Sequence, residues 1–171
     1  MTLFSTSRLV VRPFTINDAD IFFLINGNEE VMRYIRPVTS RAETDRFLQW
    51  NIDYYGLHPN LGRFAVHEAE TGNFVGSFAL LYIHGNTGGI HTGYAFLPEA
   101  WGKGYATELA GVGIDFFFKQ QRGNVLFAIV EKLNTASQNV LVKCGFQLHS
   151  SYMEEEKEVL KYFIERKQGQ L

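Results

Sequence analysis

Cysteine is nearly missing from this chain: Cys144 stands alone among 171 residues. That excludes an internal disulfide and any zinc site built from several thiolates. Proline is scarce, and no Pro/Ser/Gly tract, low-complexity stretch or internal repeat marks a linker. No apolar run approaches the ~18 residues that a membrane-spanning helix needs, so no membrane association is expected. The opening MTLFSTSRLVVRPF has no long apolar block followed by small residues. A secretion signal is therefore not expected, and a cytoplasmic location is the default. Excess charge is also lacking: 16 Lys+Arg meet 18 Asp+Glu, which argues against a surface built to hold nucleic acid.

What is present suits a globular chain. A hydrophobic fraction of 46% with 20% charged residues supplies a sizeable core, and the length fits one domain covering residues 1–171. RLVVRPF (8–14) reads as a strand. TINDADIFFLING then places Ile16, Ala19, Phe22, Phe23 and Ile25 at helical spacing, with Thr15 or Asn17 as N-cap and Gly27 as the stop. A second helix is predicted after Ser40, with Phe47, Leu48, Ile52 and Tyr55 on its apolar side. Two apolar runs around Glu70-Thr71-Gly72-Asn73 read as a hairpin, and GIHTGYAFL (89–97) as the next strand. A helix over Thr107 to Gln120, the strand NVLFAIVE, a short helix from Asn134 stopped by Gly145, and two closing strands complete the chain. Glu154 to Glu158 reads as a solvated turn between those two strands. The order is β-α-α-β-β-β-α-β-α-β-β: a mixed α/β (α+β) domain around a central sheet rather than a regular βα alternation.

The most informative segment is Trp101-Gly102-Lys103-Gly104-Tyr105-Ala106, where two glycines stand between a strand and a helix. Three readings compete. The glycines could simply permit a tight turn. They could open a dinucleotide fold, with Glu131 at the end of the next strand as the ribose-binding acid. That reading is weakened by Thr107 at the third glycine position and by the few residues left after Glu131. A triphosphate loop is excluded, because Gly102-Lys103 is followed by Gly104 rather than Ser or Thr. In the third reading, successive amides from Gly102 to Ala106 cradle the diphosphate of coenzyme A at the positive end of the helix. Glycine would then serve close approach, with Lys103 projecting to solvent.

These segments together resemble the GNAT N-acetyltransferases, and within them the RimJ/RimL-like branch of ribosomal-protein N-terminal acetyltransferases. TSRLVVRPFTINDADIFFL with EEVMRYI is similar to that branch's opening, and VHEAETGNFVGSFAL to its central hairpin. GYAFLPEAWGKGYATEL is similar to its strand-turn-helix, and NTASQNVLVKCGFQL to its late helix. The family turn reads Gln/Arg-x-x-Gly-x-Gly/Ala; Trp101 takes its first position here, while Gly104 and Ala106 match. The resemblance implies acetyl-CoA as co-substrate, no metal, and a sheet splayed between GIHTGYAFL and NVLFAIVE. It implies that Phe96 and Leu97 offer main-chain groups to the pantetheine arm. On the same resemblance Trp101, Gly102, Lys103, Gly104, Tyr105, Ala106 and Thr107 would form the diphosphate loop, and Asn134 would meet the arm from the far side. Ser137 reaches the thiol end, and Lys143 a nucleotide phosphate.

Acetyl transfer to an amine needs a base and a donor to the departing thiolate. Many relatives carry Glu two residues before the Gly-Tyr of this strand; His91 stands there, with a reference pKa near ~6.5 suited to taking an ammonium proton. His84 is a second candidate. The resemblance points to Ser137 as the acid, with Tyr152 as the alternative, since Phe146 occupies the place where other branches carry tyrosine. Cys144 invites an acyl-cysteine mechanism, but a small buried thiol at a helix end is the simpler role. Phe22, Phe23 and Phe116 to Phe118 read as core. Trp50, Tyr54 and Tyr55 lie in the region that shapes the acceptor pocket in relatives, but packing is the simpler role for them here. The resemblance implies a primary amine as acceptor, on a protein N-terminus or a small molecule, and also allows a homodimer. The contrasting expectation is a catalytically silent acyl-CoA-binding module.

Overall fold

The computed structural model describes residues 1–83, 88–120 and 122–167. Within these residues eight strands form one sheet: β1 (Phe4–Ser5), β2 (Leu9–Pro13), β3 (Gly62–Glu68), β4 (Phe74–Tyr82), β5 (Ile90–Phe96), β6 (Val125–Glu131), β7 (Gln147–Glu154) and β8 (Lys157–Glu165). Their spatial order is β1-β2-β3-β4-β5-β6-β8-β7. Every neighbouring pair is antiparallel except β5 with β6. A sheet with one parallel pair is not doubly wound, so the dinucleotide reading is removed at the level of topology.

Among the described residues five α-helices cover the two faces: α1 (Ala19–Asn26), α2 (Glu29–Met32), α3 (Arg41–Leu57), α4 (Tyr105–Lys119) and α5 (Thr135–Lys143). Alternation along the strands sorts the side chains. Leu9, Val11, Phe64, Val66, Phe78 and Leu80 are buried with Leu109 and Phe117 of α4 and Leu141 of α5. On the opposite face Phe14 and Ala65 pack with Phe22 of α1 and Leu48 of α3. Val31 and Met32 of α2 cluster there with Ile25 and Leu97.

The expected elements are present, with three differences. The two-residue β1 and the single-turn α2 were not predicted, being too short for periodicity to reveal. The residues 16–18 form a 3-10 turn, so α1 starts later than its apolar pattern suggests and Ile16 stays exposed. Helix α4 begins at Tyr105, two residues before the predicted Thr107. The helix after Ser40 starts as expected, with a capping box in which the Ser40 amide donates to Glu43 Oε2 at 2.8 Å.

The feature that positions the site is a weak seam. β4 and β5 stay in register from Gly76↔Phe96 to Tyr82↔Ile90, and β6 and β8 from Val125↔Glu165 to Glu131↔Val159. Between them, β5 and β6 pair only at His91↔Phe127 and Thr92↔Ala128. Beyond Thr92 the sheet parts, and the gap opens toward both layers of helices.

Candidate active site

The glycine loop lies at the mouth of this gap. Gly102 (φ +72°) and Gly104 (φ +78°) both adopt the left-handed conformation, which disfavours any residue with a Cβ. A Cβ on Gly102 would meet nothing within 4 Å, and one on Gly104 only Arg8 Nη2 at 3.5 Å. Backbone conformation therefore demands these glycines, and the space beside them stays open. No side chain caps α4. Its first helical bond runs from the Glu108 amide to the Gly104 carbonyl at 3.2 Å, so the amides of Tyr105, Ala106 and Thr107 have no intrahelical acceptor. Together with the positive end of the helix they make an anion cradle.

The loop is held from behind by the turn before β2. Glu108 Oε1 accepts from Thr6 Oγ1 (2.5 Å), Ser7 Oγ (2.9 Å) and the Arg8 amide (2.9 Å), and Oε2 accepts from Arg8 Nε (2.7 Å). Arg8 Nη1 donates onward to the Lys103 carbonyl at 2.9 Å. Burial alone would raise the Glu108 carboxyl; the donors from Thr6, Arg8 and Ser7 overcome it and hold the group at about 2. Lys103, expected to project to solvent, is exposed and lies 3.4 Å from Glu68 Oε1, which also accepts from Tyr105 Oη at 2.8 Å.

The walls of the gap follow from strand alternation. The Leu97 amide donates to the Val75 carbonyl on the β4 side at 2.9 Å. Alternate residues Tyr94 and Phe96 therefore turn their main-chain groups toward β6, where no strand receives them. Of the two residues expected to meet the pantetheine arm, Phe96 turns its main-chain groups to the gap, as Tyr94 does, while the Leu97 amide is bonded on the β4 side. The Phe96 carbonyl accepts from Trp101 Nε1 at 2.8 Å, so the indole braces the loop against the strand. On the opposite wall Asn134 caps α5, its Oδ1 accepting from the Ser137 amide at 3.1 Å. Its side-chain NH₂ is the group left to donate.

Tyr94 also bridges the gap: its hydroxyl lies 3.1 Å from Ser137 Oγ. Burial pushes this phenol up to about 12, against the lowering effect of the Ser137 bond, so it stays protonated near neutral pH. Nothing in the sequence distinguished Tyr94 from a core aromatic, because its role depends on a contact across 43 positions. Cys144, half-buried, points Sγ at the Thr107 carbonyl (3.6 Å), and burial raises its thiol. Neither trait suits a nucleophile.

One continuous cavity of about 930 Å³ runs through the seam. It is lined on the α4–α5 side by Gly102, Gly104, Thr107, Asn134, Ser137 and Lys143, with Trp101, Tyr105 and Ala106 also on its wall. On the other side it reaches His91, Gly93, Ala79, Arg36 and Arg63. His91 sits at the last paired positions before the sheet parts, in register with Leu81, and so faces the α1–α3 side. Tyr152, the alternative acid, lies on the exposed strand β7 and is not among the described residues lining the cavity. His84 lies outside the described residues. Trp50 and Tyr54 stack in an aromatic row with Phe47 and His58, also off the lining, and the partly buried Tyr55 bonds to the main chain of Arg63. The segment from Ile25 to Arg36 forms this end of the cavity instead.

Among the described residues no group of three or more His, Cys, Asp or Glu could hold a metal ion, and no helix is long and apolar enough to cross a membrane.

A sheet parted beside an uncapped helix start defines a class, and comparison with known proteins names it. Residues 8–147 match the acetyltransferase (GNAT) domain family. The chain belongs to the GNAT acetyltransferases. It is 31% identical to the uncharacterized N-acetyltransferase p20 of Bacillus licheniformis over 144 residues, 83% of this chain and 80% of p20. Among solved structures, spermidine N-acetyltransferase from Vibrio cholerae, in complex with CoA and spermine, superposes with TM-score 0.78 at 24% identity, covering 93% of this chain and 96% of that one. A Salmonella typhimurium acetyltransferase that modifies the N-terminal serine of ribosomal protein L7/L12 gives TM-score 0.82 at 14% identity, covering 98% and 100%.

Proposed function

We propose that this protein transfers an acetyl group directly from acetyl-CoA to a primary amine. The observation that carries this reading is the single cavity joining the amides at the start of α4, the unpaired edge of β5 and His91. The diphosphate fits the cradle of Gly102 to Thr107, and the pantetheine arm lies along Tyr94 and Phe96 as an added strand, with Asn134 opposite. Lys143, on the same wall, supports a nucleotide phosphate. This threads the thioester through the seam toward the face that carries His91.

The chemistry then uses groups already in place. His91 takes the ammonium proton, directly or through water, and releases a neutral amine. The amine nitrogen attacks the acetyl carbonyl, whose developing oxyanion is met by a β5 amide. The C–N bond forms, the C–S bond breaks, and Ser137, backed by the protonated Tyr94, donates to the departing sulfur. Alignment of two bound reactants contributes up to ~7–11 kcal/mol, which explains why no enzyme-bound acyl intermediate is needed. Structural likeness to an enzyme of protein N-termini and to one of spermidine supports a primary amine as acceptor, on a protein N-terminus or a small molecule.

The test is thiol release from acetyl-CoA against a panel of peptides and small amines, run beside His91→Ala. Steady release that depends on an amine and on His91 is the expected result. CoA binding with no release across the panel would establish the silent acyl-CoA-binding module instead.

A further inference from the structure

Two guanidinium groups at the acceptor end of the cavity have no carboxylate partner among the described residues. Arg63, on β3, lies in register with Ala79 and then Gly93, so the three share one row across the α1–α3 face of the sheet. Ala79 offers one methyl group, and a Cβ on Gly93 would meet nothing within 4 Å. The row is an open floor from Arg63 to the seam, two strand spacings or about 10 Å long. Arg36, from the segment after α2, reaches the same end of the cavity.

Both arginines are built in rather than loosely draped. Their guanidinium carbons stand 4.7 Å (Arg63) and 5.0 Å (Arg36) from the centre of the Phe47 ring. β2 ends at Pro13, so α3 supplies the bonds that an outer strand would give Arg63. Asn51 Oδ1 accepts from the Arg63 amide at 2.9 Å, and Asn51 Nδ2 donates to its carbonyl at 3.0 Å. Arg36 donates to Oδ1 of the buried Asn26. Burial depresses both groups, Arg63 to about 9, and for Arg63 the Arg36 charge adds to it. A methionine would cover Phe47 without that cost. Two desolvated like charges that repel each other, both opening on the acceptor cavity, lack an anion.

The neighbouring charges do not supply one. Glu131 is committed to Lys157 at 3.0 Å. Glu30 is exposed on the lining, as is Arg33 of opposite sign, and Glu154 lies across the seam on β7.

We infer that the acceptor amine carries a carboxylate, which Arg63 and Arg36 bind while the amine is presented at the seam beside His91. The acceptor class is thus an amino acid, a short peptide or a related amino-carboxylate, and polyamines are disfavoured because they bring further positive charge to two guanidiniums. This rests on the acetyltransferase reading and narrows it.

The experiment compares amines that differ only in carboxylate against carboxamide: glycine, β-alanine, 4-aminobutyrate and glycylglycine, each with its amide, and spermidine as the polycation. Thiol release from acetyl-CoA is followed with the whole protein, with Arg63→Met and with Arg36→Met, and CoA affinity is measured calorimetrically for each. At the best spacing the acid is expected to exceed its amide in kcat/KM by about tenfold to a hundredfold, the worth of a charge-assisted bidentate bond. In Arg63→Met that ratio collapses toward one, while CoA binds as before. Equal rates for acids and amides, or preference for spermidine, overturn the inference and leave the transferase standing. Release from no amine at all overturns the transferase reading, and the inference with it. The wild-type ratio decides even if the variants do not fold.

Discussion

At the scale of single residues, His91 and Gly104 carry the sharpest expectations. His91→Ala should lower kcat/KM by about 10²- to 10⁴-fold near neutral pH, the range of general-base catalysis. That deficit should shrink as pH approaches the amine's own pKa, because a neutral amine needs no base. A deficit independent of pH would give His91 a packing role instead. Gly104→Ala places a Cβ where φ is +78°, at a cost of roughly 1–2 kcal/mol, and turns the following amides away from the cradle. A lower melting temperature and a CoA affinity weakened by more than tenfold are the outcomes to look for by calorimetry. Both were candidates from the sequence, the glycine from its place before a helix and the histidine from its spacing to Gly93-Tyr94, and both line the cavity. Tyr94, Arg36 and Arg63 were not candidates. Their roles come from contacts between residues far apart in the chain, and neither propensity nor periodicity reports those.

Among elements, the loop–helix unit shows what local reading recovers and what it misses. A helix after paired glycines was predictable, but its start at Tyr105 was not, since left-handed glycines at 102 and 104 shorten the turn by two residues. The direction in which Leu97 turns its amide was not legible for a related reason. Which strand edge a main-chain group faces depends on register with β4, and register is a tertiary property. The clamp from Arg8 to Glu108 belongs to this scale, because it ties the first strand pair to the loop. Glu108→Gln leaves several donors without their charged acceptor and should cost about 1–3 kcal/mol near pH 7. The sign of its pH dependence follows from a folded-state pKa of about 2 against an ordinary 4.5. The stabilisation is complete above pH 4.5 and is lost as pH falls toward 2. Urea midpoints of the wild type and Glu108→Gln should therefore converge across that window; a constant gap would show that the carboxylate's charge is irrelevant. At neutral pH the same variant should raise KM for acetyl-CoA more than it lowers kcat, because it loosens the loop and leaves His91 in place.

For the whole molecule, the parted sheet is at once the source of function and the least secure part of the fold. β5 and β6 join the five-stranded block β1 to β5 to the three-stranded block of β6, β8 and β7 through two registered pairs. The remaining cohesion comes from α4 and α5 packing across the join and from the Tyr94–Ser137 bond. An arm lying between the strands would supply the missing ladder bonds to Tyr94 and Phe96 and occupy the amides of Tyr105 to Thr107. Ligand binding should then protect a defined set of groups. In hydrogen exchange with and without CoA, those five amides should slow strongly, while the β3–β4 ladder, already complete from Gly62↔Leu80 to Val66↔Gly76, should change little. At a hundredfold excess over Kd the added stability is ~2.7 kcal/mol, which for a chain of this length raises the melting temperature by about 5–10 °C. Protection spread evenly over the sheet would mean that the molecule merely tightens as a body, and the seam would lose its claim to be the binding strand. Protection confined to the α4 start, with Tyr94 and Phe96 unchanged, would keep the anion cradle and remove the added-strand geometry.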